Sequence, residues 1–130
     1  MLPSFCKQAA EIERSGHSGI ISVGNLDVKR DFSDVRDIVK AYRLIIESEE
    51  YDKVYNVGSG KAYSLRELLD YIVSLCSSKI EIRVDPALLR PVDTPYICCD
   101  NKCISSDLGW HPDHSIFDTL REMYMYYLNI

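Results

Sequence analysis

The sequence lacks the features by which several classes of protein are recognised. Its 15 lysines and arginines are outnumbered by 20 aspartates and glutamates, which gives a net charge of -5 and a pI of about 5.1. This acidic balance argues against nucleic-acid binding, which requires a basic face. No run of about 18 apolar residues occurs, so we predict no membrane-spanning helix.

Cysteine usage and the N-terminal residues bear on the cellular compartment. The five cysteines form an odd, irregularly spaced set, which is not typical of a disulfide framework. Residues 1–13 lack the charged and then apolar order of a secretory signal. We therefore expect a reducing compartment and a cytoplasmic protein.

Motifs for binding a dinucleotide or a nucleoside triphosphate are also missing. No G-x-G-x-x-G turn occurs, and this turn is what places a helix N-terminus on a pyrophosphate. The run Gly58-Ser59-Gly60-Lys61 suggests a phosphate loop, but a Walker loop requires Gly and Ser/Thr where Tyr55 and Ala62 stand. We interpret the run as a tight turn that leads into a capped helix.

The sequence contains no evident catalytic set. None of the nine tyrosines has a lysine four residues later, so the Tyr–Lys pair of short-chain dehydrogenases is absent. Three cysteines and two histidines near the C-terminus lack the spacing of a usual zinc site, and we expect no metal; they are Cys98, Cys99, Cys103, His111 and His114. A cysteine–histidine hydrolase has no support beyond these residue types.

What is present indicates one α/β domain over residues 1–130 with few short strands and about five helices. The chain is 46% hydrophobic and 27% charged, a balance typical of a protein with a buried core. Apolar periodicity and capping residues predict helices over 2–14, 34–48, 64–76, 101–108 and 115–128, and strands over 20–23, 53–57 and 79–84. In the second helix we expect six apolar side chains to point inward: Val35, Ile38, Val39, Tyr42, Ile45 and Ile46.

Two arginines are candidates for binding an anion. Arg30 and Arg90 each lie in a loop beside a predicted strand. A guanidinium forks onto phosphate oxygens and keeps its charge, so two of them could clamp a diphosphate. The alternative, which spacing alone favours, is that both are surface residues paired with neighbouring aspartates.

The order of several motifs resembles the C-terminal part of extended short-chain dehydrogenases/reductases. They are V-G-N-L from Val23, R-D-F-S-D-V-R-D from Arg30, V-Y-N-V-G-S-G from Val54, L-R-P-V-D from Leu89 and G-W-H-P from Gly109. The R-D element is similar to that of many sugar-nucleotide enzymes. The V-G-N-L element resembles a narrower branch, the GDP-mannose 4,6-dehydratases and GDP-4-keto-6-deoxymannose reductases.

This resemblance implies roles for particular residues. Arg30 and Arg90 would contact the diphosphate, the backbone from Val23 to Asn25 would meet the guanine, and Lys7 would lie near the nucleotide. The substrate would be GDP-mannose or GDP-4-keto-6-deoxymannose, and the complete enzyme would be a homo-oligomer.

The resemblance also implies a missing half. The NADP or NAD site and the Tyr–Lys pair would belong to an N-terminal Rossmann half, so we expect this chain to bind no cofactor and to be inactive alone. We also expect an apolar face left open to solvent, with self-association or weak stability. Two alternatives remain: a free-standing nucleotide-sugar binding module, and part of a UDP-sugar epimerase.

Overall fold

A computed structural model describes residues 1–49 and 52–130. The elements, in chain order, are α1 (Leu2–Ser15), β1 (Gly19–Val23), β2 (Lys29–Asp31), α2 (Val35–Ser48), β3 (Ala62–Ser64), α3 (Leu65–Leu75), β4 (Ile80–Val84), a 3₁₀-helix (Pro86–Leu88), β5 (Tyr96–Ile97), α4 (Lys102–Leu108) and α5 (Ile116–Asn129). The predicted α/β fold with few strands is confirmed. No helix in the described part of the chain is both long and apolar enough to span a bilayer.

The chain divides into two compact units. The first unit comprises residues 1–28, 64–95 and 117–130, and the second comprises residues 29–63 and 96–116. Each unit is therefore assembled from segments that are distant in sequence. That residues 1–130 fold as one domain stays a prediction.

The first unit is built around a parallel strand pair. β1 pairs with β4 in the register Ile21↔Ile82 and Val23↔Val84. The apolar face of α1 predicted from helical spacing is buried over Leu2, Phe5, Cys6, Ala9 and Ala10, and α1 packs against α3. The two strands therefore lie in a unit whose helices bury the apolar faces predicted from the sequence.

Polar side chains fix the helix ends of the first unit. The Ser64 hydroxyl accepts a hydrogen bond from the Glu67 amide at 3.1 Å, which confirms the predicted N-cap of α3. Glu13, near the end of α1, accepts hydrogen bonds from the Cys76 thiol at 2.7 Å, the Ser78 amide at 2.9 Å and the Ser77 hydroxyl. These bonds lower the pKa of the Glu13 carboxyl to about 2 and tie the end of α1 to the end of α3.

The second unit contains a three-stranded sheet in the order β3-β2-β5. Its core is formed by Ala41, Ile104 and Trp110, all fully buried. The Trp110 indole nitrogen donates a hydrogen bond to the Asp37 carbonyl at 3.0 Å, so Trp110 holds α2 to this core.

Three local predictions for the second unit require correction. Residues 53–57 belong to none of the described strands. Their composition favours a strand, but they pair with no strand of the β3-β2-β5 sheet. Asn101 begins α4 but does not cap it, because its side-chain amide donates to the Gly58 carbonyl at 2.9 Å instead. In α2 the four side chains Val35, Val39, Tyr42 and Ile46 are exposed and not inward.

The inner face of α2 differs from the predicted one for a physical reason. Asp34 caps the helix by accepting from the Arg36 amide at 2.8 Å and is itself buried. Ala41 and the polar Asp37 are the buried residues of α2, and Asp37 binds the His114 ring nitrogen Nδ1 at 2.8 Å. Burial of a carboxylate is tolerated here because its oxygens are hydrogen-bonded.

Candidate functional site

The carboxyl ends of β1 and β4 lie side by side at one edge of the parallel pair in the first unit. Residues 23–25, which begin with the last residue of β1, form what we call the 23–25 turn. Residues 86–90 follow β4 and form the 86–90 loop. The Asp85 amide donates a hydrogen bond to the Val23 carbonyl at 2.8 Å, which holds the two exits together. In open α/β sheets, ligands bind outside the carboxyl ends of the strands, so this edge is the candidate site.

A close backbone approach fits the 86–90 loop against the 23–25 turn. A Cβ placed on Gly24 would lie 2.6 Å from the Leu88 carbonyl oxygen and 3.3 Å from the Leu88 carbonyl carbon. The loop can lie this near only because position 24 has no side chain. Sequence reasoning missed this contact; the signal that could have found it is a glycine directly after a strand.

The two predicted residues of the 23–25 turn present different groups to solvent. The Val23 side chain is buried with 1% exposure, so only its backbone could meet a ligand. Asn25 is exposed, and its side-chain oxygen accepts from the Asp27 amide at 3.0 Å. This bond closes a local turn and leaves the edge of the peptide backbone as the surface that a planar base could meet.

Arg90 lies exposed in the 86–90 loop of the first unit. Within residues 1–49 and 52–130 it makes no hydrogen bond or ion pair, so the alternative in which Arg90 pairs with Asp93 is not realised. An unengaged guanidinium beside the strand ends is available to an anion. The same unit contains Arg83, which is on β4 and binds Glu81 at 3.0 Å.

The other two predicted cationic residues, Lys7 and Arg30, both have partners within the chain. Lys7 is exposed on α1 of the first unit and forms a long ion pair of 3.9 Å with Glu11. Arg30 is half-buried on β2 of the second unit, where its guanidinium donates to the Lys29 carbonyl at 2.8 Å. Arg30 and Arg90 thus belong to different compact units.

The Gly58-Ser59-Gly60 loop of the second unit is filled by a carboxylate. Asp31 accepts hydrogen bonds from the Ser59 amide at 3.0 Å, the Gly60 amide at 2.8 Å and the Cys99 amide at 3.1 Å. These are the donors that a phosphate would need, and they are already engaged. The loop is therefore a structural turn, and the residues described do not fit the pyrophosphate of a dinucleotide.

The cysteines and histidines of the second unit are dispersed among separate partners. His114 binds Asp37 and His111 binds Asp113, with distances of 2.8 and 3.0 Å. Burial is the main cause that raises the pKa of the Cys99 thiol above its ordinary value, which disfavours a reactive thiolate. Among the described residues no three or more histidine, cysteine or acidic side chains converge as metal ligands would.

The sequence is similar to enzymes that act on GDP-sugars. The sequence model of the GDP-mannose 4,6 dehydratase family matches residues 3–123. A GDP-6-deoxy-D-mannose reductase of Pseudomonas aeruginosa is 31% identical over 121 residues, which cover 93% of this chain and 40% of the relative. A GDP-mannose 4,6 dehydratase of Cricetulus griseus is 26% identical, with 83% of this chain and 34% of the relative covered.

Solved structures extend the similarity to the fold. The structure of RMD from Pseudomonas aeruginosa complexed with NADPH matches with a TM-score of 0.89 and 27% identity, covering 99% of this chain and 42% of that one. A putative epimerase from Burkholderia cenocepacia matches with a TM-score of 0.88 and 32% identity, covering 100% and 41%. This chain spans less than half the length of these relatives. Because the family match extends over nearly all of its residues, the chain belongs to the GDP-mannose 4,6 dehydratase family.

Proposed function

We propose that this chain is the sugar-nucleotide-binding part of an NAD(P)-dependent GDP-mannose 4,6-dehydratase or GDP-4-keto-6-deoxymannose reductase. The observation that carries the proposal is the 86–90 loop held against the 23–25 turn, with Arg90 exposed and unengaged beside them. A cation next to a backbone edge at the strand ends suits a ligand with a phosphate at one end and a planar base at the other.

The proposed binding chemistry follows from the groups at this edge. Arg90 forks onto diphosphate oxygens, a charge-assisted contact that is stronger than a neutral hydrogen bond. The backbone of the 23–25 turn reads the guanine through its N–H and C=O groups. Lys7, in the same unit, supplies further positive charge in an otherwise acidic chain of net charge -5. The role of Arg30 at the diphosphate stays a prediction from the resemblance, because Arg30 belongs to the second unit.

In the complete enzyme, NAD(P) supplies hydride transfer at C4 of the sugar. We assign no step of that transfer to the residues of this chain, and its glycine loop, occupied by Asp31, is not proposed as a cofactor site. The part described here binds and orients the sugar nucleotide, which lowers the barrier by placing the reacting carbon. We expect the isolated chain to be inactive and the complete enzyme to be a homo-oligomer.

Titration with GDP tests the proposal directly. Isothermal calorimetry on the 130-residue chain should show GDP binding, and Arg90→Ala should weaken it about tenfold or more, the effect of losing one charge-assisted pair. Arg83→Ala is the matched control, because Arg83 is exposed in the same unit but is paired with Glu81; it should leave the affinity unchanged. Equal affinities for all three proteins would exclude Arg90 from the site.

A UDP-sugar epimerase is the second candidate, because enzymes of that class are also similar. A UDP-glucose 4-epimerase of Corynebacterium glutamicum is 30% identical over 95 residues. The same calorimetry with UDP in place of GDP separates the two candidates. Tighter binding of GDP supports the GDP-sugar assignment, whereas tighter binding of UDP would replace it.

A further inference from the structure

Asp85 connects the two strand ends that form the candidate site. It directly follows β4, and its amide donates a hydrogen bond to the Val23 carbonyl at 2.8 Å. Its side-chain oxygen Oδ1 accepts from the Ala87 amide at 2.9 Å, and its carbonyl accepts from the Leu88 amide at 3.0 Å. This half-buried residue therefore binds the end of β1 on one side and the first turn of the 86–90 loop on the other.

The 86–90 loop has little else to fix its conformation. All five of its residues are exposed, so burial of side chains contributes little to its stability. Its 3₁₀-helix, Pro86–Leu88, is a single turn, and a helix this short is not stable by itself. The loop is therefore attached to the strand ends through the hydrogen bonds of Asp85.

The conformation of this loop determines where Arg90 lies. The Leu88 carbonyl faces Gly24 of the 23–25 turn, and Arg90 follows Leu88 by two residues. The Arg90 guanidinium makes no hydrogen bond or ion pair in the described part of the chain, so its own contacts do not hold it. Pro91 restricts the backbone of Arg90 to extended conformations. The backbone that begins at Asp85 therefore sets the direction in which Arg90 leaves the strand ends.

The charge of Asp85 is wrong for contact with a phosphate, because a carboxylate repels a nearby anion. Its oxygen is correct for an N-cap, since Asp, Asn and Ser are preferred where a side chain accepts from the first amides of a helix. We infer that Asp85 is a positioning residue, whose carboxylate holds the 86–90 loop so that Arg90 faces the phosphates of a nucleoside diphosphate. The inference rests on the proposed function, since it takes Arg90 to bind the diphosphate.

Three substitutions at Asp85 separate the cap from the charge. Asp85→Asn keeps an oxygen that can cap but removes the charge, whereas Asp85→Glu keeps the charge on a side chain that is not a preferred cap. Asp85→Ala removes both. The matched control is Asp70→Ala, which removes an exposed carboxylate from α3 in the same unit.

Calorimetry with GDP on the 130-residue chain gives the readout. We expect Asp85→Ala and Asp85→Glu to weaken GDP binding about fivefold, the size of the loss of one N-cap. Asp85→Asn should keep the parent affinity or exceed it, and Asp70→Ala should leave the affinity unchanged. If Asp85→Ala does not fold, the comparison of Asn with Glu still decides the question.

A double-mutant cycle distinguishes positioning from a general structural role. Asp85→Ala is combined with Arg90→Ala, and the GDP affinity of the double variant is compared with that of Arg90→Ala alone. If Asp85 acts through Arg90, the second substitution causes no further loss, because the group that it positions is already absent. A general structural role would weaken binding to the same extent with or without the Arg90 side chain.

Three results would overturn the inference. The first is a parent-like affinity for both Asp85→Ala and Asp85→Glu. The second is Asp85→Asn binding as weakly as Asp85→Ala, which would assign the charge to a contact with the ligand. The third is an equal loss from Asp85→Ala in the presence and absence of Arg90. Failure of the proposed function has a different signature: the parent chain does not bind GDP, or Arg90→Ala binds it as the parent does, and this inference then falls as well.

Discussion

Replacement of Gly24 by alanine tests whether the approach of the 86–90 loop to the 23–25 turn matters for binding. The added Cβ would lie 2.6 Å from the Leu88 carbonyl oxygen, whereas ordinary Cβ contacts begin at 3.4 Å. The loop must therefore retreat by about 0.8 Å at this point, the difference between the two distances. Because the obstructing atom belongs to the backbone, no side-chain rotation can relieve the clash.

Two effects of known size follow from this retreat. Overpacking of this kind costs about 1–3 kcal/mol of unfolding free energy. Movement of the loop also displaces Arg90, which lies two residues after Leu88 in the sequence. We expect GDP affinity to fall about tenfold, equivalent to about 1.4 kcal/mol of binding free energy. Urea denaturation measures the first quantity and calorimetry with GDP measures the second.

Gly16→Ala is the matched control for this experiment. Gly16 ends α1 with a φ of +69°, and a Cβ there would meet nothing within 4 Å. Alanine at this position costs roughly 1–2 kcal/mol through backbone strain alone, with no movement of the loop and no change in GDP affinity. The reasoning is refuted if Gly24→Ala keeps both the parent stability and the parent affinity, or if Gly16→Ala weakens GDP binding equally.

Three further predictions concern side chains that stabilise one of the two units from within. The Glu13 pKa of about 2 lies below its ordinary 4.5, so its stabilisation is complete above pH 4.5 and is lost as the pH falls towards 2; thermal melts across this range should fall less steeply for Glu13→Gln than for the parent. Asp31→Asn should lower the unfolding free energy by about 2 kcal/mol in urea, because loop amides lose a charged acceptor, whereas Asp70→Asn on the exposed face of α3 should not. Trp110→Phe should cost about 3 kcal/mol in the same assay, since it leaves a gap in the core and the Asp37 carbonyl without its donor; a loss below about 1 kcal/mol would contradict the assigned packing.

The α2 helix shows which features could be predicted from sequence periodicity and which could not. Its bounds were predictable from a short-range pattern and its cap was narrowed to Ser33 or Asp34, because capping and helical spacing are local properties; the structure selects Asp34. The direction of its packing was not, since α2 has apolar residues on more than one face. Which face is buried depends on Asp37 and on the Trp110 core, and the hydrogen bonds that Trp110 and His114 donate to Asp37 join residues more than 70 positions apart.

The features of the candidate site also fall into those set by local sequence and those set by the tertiary structure. Local sequence determined the helices, the strands at residues 19–23 and 80–84, the choice of Arg30 and Arg90 as candidates, and the motif order that relates the chain to its family. Only the tertiary structure decided that β1 and β4 pair in parallel, that the Leu88 carbonyl lies against Gly24, and that Asp31 fills the glycine loop. The physical reason is that propensity and capping act within a few residues, whereas strand pairing and close backbone contact depend on segments brought together by burial of the whole core.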